Sequence, residues 1–140
     1  FSYIKAMLTA VENHSKFKFY RKHLNSTVYL SEDRIMRIEY ADDVILEPED
    51  FSDVVNDYVE IGQEELLRVL VVFPKNTNLS VEGRKYIQER EIKAIAEGVV
   101  FTTLGQRLLF KFYQKFRAVK YPIKGFKTEQ EALQWLHEFA

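Results

Sequence analysis

The sequence predicts an α/β domain whose sheet is at least partly parallel, and three observations lead there. From Met36 onward, short apolar runs or two-residue alternations take turns with stretches of three- and four-residue apolar spacing, the order that threads helices between parallel strands. A length of 140 residues is that of one domain, and 46% hydrophobic with 29% charged residues is the balance of a globular chain. No internal repeat, low-complexity tract or long linker divides it.

Phe1, Ile4, Met7, Leu8 and Val11 lie at helical spacing and predict a helix over 1–12. Phe17 and Phe19 alternate with Lys16, Lys18 and Arg21 as a half-exposed strand, broken at Leu24-Asn25-Ser26. Val28 and Leu30 mark a second strand, Ser31 to Arg34 a turn, and Met36, Ile38 and Tyr40 a third strand. Pro48 suits the first position of a helix, with Glu49 and Asp50 complementing its positive end. Phe51, Val54, Val55, Tyr58 and Ile61 form its apolar stripe and Gly62 its stop. Leu66 to Phe73, ended by Pro74, reads as a strand buried on both faces. After a loop over Lys75 to Leu79, Ser80 caps a helix carrying Val81, Tyr86 and Ile87. Gly98 closes a polar stretch, and Val99 to Phe101 form a short strand. Thr102 or Thr103 caps a helix from Leu104 to about Phe116. Val119 to Phe126 is a last strand, given an edge position by Pro122. Thr128 and Glu131 form a capping box ahead of a helix with Ala132, Leu133, Leu136 and Phe139.

Composition removes several classes. With no cysteine there is no disulfide framework, thiolate zinc site or thiol nucleophile. The longest apolar run, Val69 to Phe73, falls far short of the ~20 residues that span a bilayer, and no secretory signal pattern opens the chain. The sequence begins at Phe1, which leaves room for a segment ahead of it. Absence of cysteine fits a reducing compartment, so a cytoplasmic location is expected. His14, His23 and His137 sit in separate elements without metal-ligand spacing, and the five glycines are isolated, so neither a metal site nor a phosphate-cradling loop is expected. Carboxylate pairs between 39 and 65 are unavoidable at that density and read as a solvated helix face. No catalytic residue and no cofactor is expected, and the protein reads as a non-enzyme.

The net charge of −1 hides a segregation. Between Arg37 and Arg68 there is no Lys or Arg, while eleven acidic residues, among them Asp50, Asp53 and Asp57, fill the stretch. Between Glu97 and Glu129 there is no acid, while Arg107, Lys111, Lys115, Arg117, Lys120, Lys124 and Lys127 fill it. Unless the two blocks meet, the domain is strongly dipolar. The bland reading is that each block is the solvated face of its own element. The functional reading is a surface for a charged protein partner or a second copy of the chain, since charge complementarity steers association. Its candidate residues are Arg107, Phe110, Lys111 and Lys115 with Asp50, Asp53 and Asp57. Phe110 is expected to be partly exposed because a Leu108–Phe112–Phe116 row takes the core. Nucleic acid is not an expected partner, because the acidic block repels phosphate.

Four segments carry a family resemblance. They are Val28-Tyr29-Leu30-Ser31-Glu32-Asp33-Arg34-Ile35-Met36-Arg37-Ile38, Leu46-Glu47-Pro48-Glu49-Asp50-Phe51, Val69 to Phe73, and Tyr121-Pro122-Ile123-Lys124-Gly125-Phe126 followed by Glu131-Ala132-Leu133-Gln134-Trp135-Leu136. Their order resembles a STAS-like (SpoIIAA-like) domain, the fold of bacterial anti-sigma-factor antagonists and sulfate-transporter C-terminal domains, with SEC14-like relatives. The resemblance implies a mixed sheet of four to five strands with helices mainly on one face, a core over 28–140 and an N-terminal extension over 1–27. It implies regulation through protein–protein contact, or alternatively carriage of a small apolar, lipid-like ligand in a cavity under the aromatic-rich helix at 104–116, beneath Phe112 and Phe116. One departure matters. The D-S-x-G phosphoacceptor motif of the signalling members is replaced by Phe73-Pro74-Lys75-Asn76-Thr77-Asn78-Leu79-Ser80, leaving Ser80 and Thr77 as weak phosphoacceptor candidates, with Ser80 better explained as a cap.

Overall fold

The computed structural model describes residues 16–90, 92–115 and 120–139. The helix expected over 1–12 lies outside them. The elements run β1 (Lys18–Lys22), β2 (Ser26–Leu30), β3 (Ile35–Tyr40), β4 (Ile45–Leu46), α1 (Pro48–Gly62), β5 (Arg68–Val72), β6 (Asn78–Leu79), α2 (Val81–Glu89), β7 (Ala96–Val100), α3 (Leu104–Gln114), β8 (Ile123–Phe126) and α4 (Glu129–Leu136).

β1, β2 and β3 form an antiparallel meander in which Val28 faces Ile38, with an irregularity in β1 between Phe19 and Arg21. β5, β7 and β8 are then added in parallel, giving a mixed six-stranded sheet in the order β1-β2-β3-β5-β7-β8. The α/β class is as expected. The sheet is one strand wider than the four to five the resemblance implies, because β1, from the N-terminal extension, joins its edge. Pro122 precedes the opposite edge strand, where its missing N–H costs no ladder bond. β4 and β6 form a separate two-residue parallel pair that ties the start of α1 to the start of α2.

Two-residue alternation sorts the strands' side chains onto two faces. Met36, Ile38, Val69, Val71 and Val99 share one cluster with Phe51, Val54 and Ile61 of α1, and Ile87 of α2 and Phe110 of α3 pack against it. Ile35, Leu70, Ala96 and Val100 share the other cluster with Ala132, Leu133 and Leu136 of α4. Among the described residues, three helices thus cover one face and one covers the other.

Local chemistry sets the helix ends. The backbone N–H of Glu47 donates to Asp50 at 2.8 Å, satisfying a donor at the head of α1. Gly62 is the last helical residue, and the left-handed turn falls on Gln63 (φ 48°) and Glu64 (φ 76°), one step beyond the expected stop. Ser80 Oγ accepts from Gly83 N at 2.9 Å, and Thr128 Oγ1 from Glu131 N at 3.2 Å, so both expected caps are made. A Cβ on Gly83 would lie 2.6 Å from the Leu46 carbonyl oxygen, so α2 rests directly on β4. Gly98 lies in the middle of β7 rather than ahead of it. A Cβ there would be 3.4 Å from that of Ala132, so this glycine lets α4 sit close to the sheet.

Candidate functional site

The acidic helix does not present a free face. Asp57 is fully buried, accepting from Arg21 Nη1 at 2.6 Å with His23 Nε2 2.6 Å from its other oxygen. Asp50 is buried too, accepting from Asn25 Nδ2 at 3.0 Å and from the Glu47 N–H. Asp53 is half-exposed, 3.9 Å from His23 Nδ1. Glu60 accepts from Tyr20 and Arg21, whose donors hold its carboxyl below the ordinary glutamate value. The acidic block therefore meets the basic N-terminal strand, and Asp50 and Asp57 are structural anchors there. The basic block on α3 is not drawn into that contact, and Arg107, Lys111 and Lys115 make no ion pair among the described residues.

On α3 the expected orientation is reversed. Phe110 is half-buried, its ring 5.0 Å from that of Phe101, while Leu104, Leu108 and Phe112 are 67%, 57% and 55% exposed. Phe116 lies outside the described residues. The inward row is instead Gln106, Leu109, Phe110 and Gln114. Gln106 Nε2 donates to the Pro74 carbonyl at 2.7 Å and Gln114 Nε2 to the Ile123 carbonyl at 2.9 Å. The helix is moored by two amides near its ends and one ring in its middle, and it stands off the sheet between them.

The space so left is a cavity of about 420 Å³ under α1, α2 and α3. Ile38, Val69, Val71, Val99 and Ile123 form its floor, and Val54, Ile87 and Leu109 part of its roof. A chain of rings borders it. Tyr86 stacks on Phe51, Phe51 meets Tyr40 edge-on, and Tyr40, Phe73, Phe101 and Phe110 follow at centroid spacings of 5.0–5.8 Å. For scale, an engineered cavity of about 150 Å³ in another protein binds benzene, and natural ligand pockets run from roughly 300 to 1,000 Å³.

Polar groups converge on one region of this apolar space. Arg90, at the end of α2, reaches Glu97 Oε1 at 3.4 Å, and Tyr121 donates to that same oxygen at 2.9 Å. Burial opposes the Arg90 charge, but Glu97 and the nearby Tyr121, Tyr40 and Tyr86 hold its pKa above the ordinary arginine value. Burial likewise pushes the Tyr40 hydroxyl well above its usual range. The Nε atoms of Arg84 and Arg90 are buried without a hydrogen-bond partner among the described residues. Sequence inspection passed over this cluster. The available signal was Glu97, a lone acid at an inward position of a strand otherwise buried on both sides.

The two hydroxyls singled out at Thr77 and Ser80 are both used by the fold. Thr77 is buried and donates to the Ala41 carbonyl at 2.8 Å, and Ser80 caps α2. Among the described residues, no group of three or more His, Asp or Glu is placed to hold a metal ion, and no helix is long and apolar enough to cross a membrane.

Fold and cavity together define the class, an α/β domain with a mixed sheet that is closely packed on one face and hollow on the other. The chain belongs to the family described as domain of unknown function DUF7793, whose model matches residues 28–140, from the middle of β2 through α4. It is also similar to a crystal structure of a protein with unknown function from arthrobacter sp. fb24, at 21% identity over 79% of this chain and 97% of that one, with a TM-score of 0.30. No curated protein matches the chain.

Proposed function

We propose that this domain is a non-catalytic binding protein that carries one small, largely apolar molecule between its sheet and α1, α2 and α3. The observation that carries this reading is the cavity of about 420 Å³, walled by aliphatic and aromatic side chains and given a few convergent polar groups. Ligand sites are concave and mostly apolar with a small number of orienting polar groups, which is the composition found here. The reading corresponds to the carrier alternative implied by the SEC14-like resemblance, with the ligand under Leu109 and Phe110 in place of Phe112 and Phe116. Its test is titration with the neutral fluorophore N-phenyl-1-naphthylamine. Saturable binding at one probe per chain is expected, and Val99→Phe, which grows a ring from the cavity floor, abolishes it while the fold persists. Absence of binding to the wild type, or equal binding to the filled variant, overturns the proposal.

A second reading, a protein-interaction domain that pairs with a second copy of the chain, is favoured by one separate observation: exposed Leu104, Leu108 and Phe112 lie in a row on α3 beside Arg107, Lys111 and Lys115. Light scattering of the wild type and of Leu108→Glu tests its homodimer form. A wild-type dimer that dissociates in the variant supports it, and two monomers refute it.

A further inference from the structure

Among the described residues, the cavity lining holds more positive than negative side chains. Lys75, Arg84 and Arg90 are among its lining residues, against the single carboxylate of Glu97. The Arg90 side chain is only 19% exposed, and its contact with Glu97 is long at 3.4 Å, beyond the ~2.7–2.9 Å of a good charge-assisted bond. The same Glu97 oxygen is already taken by Tyr121 at 2.9 Å. Both Arg84 and Arg90 hold a buried Nε–H with no acceptor among the described residues. A buried donor without a partner is costly, and buried polar groups are paired in the great majority of folded proteins. Arg84 in α2 and Arg90 at its C-cap thus bring two guanidiniums to one apolar space, and among the described residues only the long contact to Glu97 offsets their charge.

Resting on the carrier reading above, we infer that the ligand is a single-headed amphiphile of fatty-acid type, its carboxylate received by Arg84 and Arg90 and its hydrocarbon body laid along Val69, Val71, Val99 and Leu109. Guanidinium forks match carboxylates in geometry and charge, and Arg is the residue suited to holding them out of water. A neutral molecule leaves the positive charge of the lining uncompensated. A cationic one meets two arginines and a lysine.

The experiment displaces bound N-phenyl-1-naphthylamine from the wild-type chain with dodecanoate or with dodecanol, which share the hydrocarbon body and differ in the head. Dodecanoate is expected to bind at least ~10-fold tighter, the discrimination that about 1.4 kcal/mol confers. In an Arg84→Gln/Arg90→Gln variant that still binds the fluorophore, the preference falls to about twofold or less. Equal competition by the two ligands in the wild type overturns the carboxylate assignment and leaves the carrier reading standing. A preference that survives in the double variant also overturns it, because the discrimination then comes from elsewhere. Failure of the wild type to bind the fluorophore at all overturns the carrier reading itself. The wild-type comparison needs no substitution, so a variant that does not fold still leaves a decisive result.

Discussion

Asp57→Ala removes the carboxylate that joins α1 to β1 and to the turn after it. The wild-type group is buried and accepts at 2.6 Å from Arg21 Nη1, with His23 Nε2 at 2.6 Å on its second oxygen. Hydrogen bonds to a charged group each contribute about 1.5–3 kcal/mol. The Arg21 bond adds little to this, because that guanidinium is 44% exposed and retains Glu60 as a partner. The His23 bond is the more protected, since that ring is largely buried. The sum is about 3 kcal/mol, the lower edge of what breaking a buried pair costs. Urea unfolding at neutral pH, with a slope of about 2 kcal/mol/M, turns this into a midpoint lowered by about 1.5 M. Asp57→Asn keeps one acceptor and loses roughly half as much on the same reasoning. A midpoint shift under ~0.5 M for the alanine variant would refute the assignment of Asp57 as the anchor of β1.

Gly83→Ala normally stabilises a helix by about 1 kcal/mol, yet here the new Cβ meets the Leu46 carbonyl oxygen at 2.6 Å, so a net loss of about 1–3 kcal/mol is expected by thermal or urea unfolding. Glu129→Ala leaves the buried Arg37 guanidinium with Glu39 alone, and about 2–3 kcal/mol should be lost in the same assay. Burial raises the Asp33 carboxyl, but the Ser31 hydroxyl, Arg68 and His137 outweigh it and hold it below its ordinary value of 3.8. Because the folded-state value is the lower one, its contribution is full above the ordinary value and is lost as pH falls through the folded one. Asp33→Asn should therefore lose stability at neutral pH and show a shallower further decline below about pH 4 than the wild type.

Most of the architecture was legible because it rests on local rules. The strands announced themselves by alternation at Val28, Leu30, Met36, Ile38 and Tyr40, and the helices by Pro48, Ser80 and Thr128 at their starts. Gly98 was misplaced because a glycine usually marks the end of a segment, whereas here it makes room for Ala132 across the interface, a contact no local pattern encodes. The orientation of α3 was misjudged for a related reason. A row of Leu108, Phe112 and Phe116 looks like a core face, and a row holding Gln106 and Gln114 does not. The glutamines point inward because they reach loop and strand carbonyls rather than packed hydrocarbon. The cavity itself had no signature, since Val69, Val71 and Val99 read alike whether the space above them is full or empty. Its charged cluster joins the end of α2 to β7 and the segment before β8, and only the fold brings those three together.

The placement of α4 bears on how the chain is made. Everything that roofs the hollow face has left the ribosome once α3 has emerged, but Ile35, Leu70, Ala96 and Val100 stay uncovered until residues 129–136 follow. A nascent chain stopped at Lys127 would carry a finished cavity on one side and a bare apolar sheet on the other. Such surfaces are what chaperones recognise and what aggregation exploits. Completion of α4 is thus the event that covers this face of the sheet, and a chain held just before it exposes that face to aggregation.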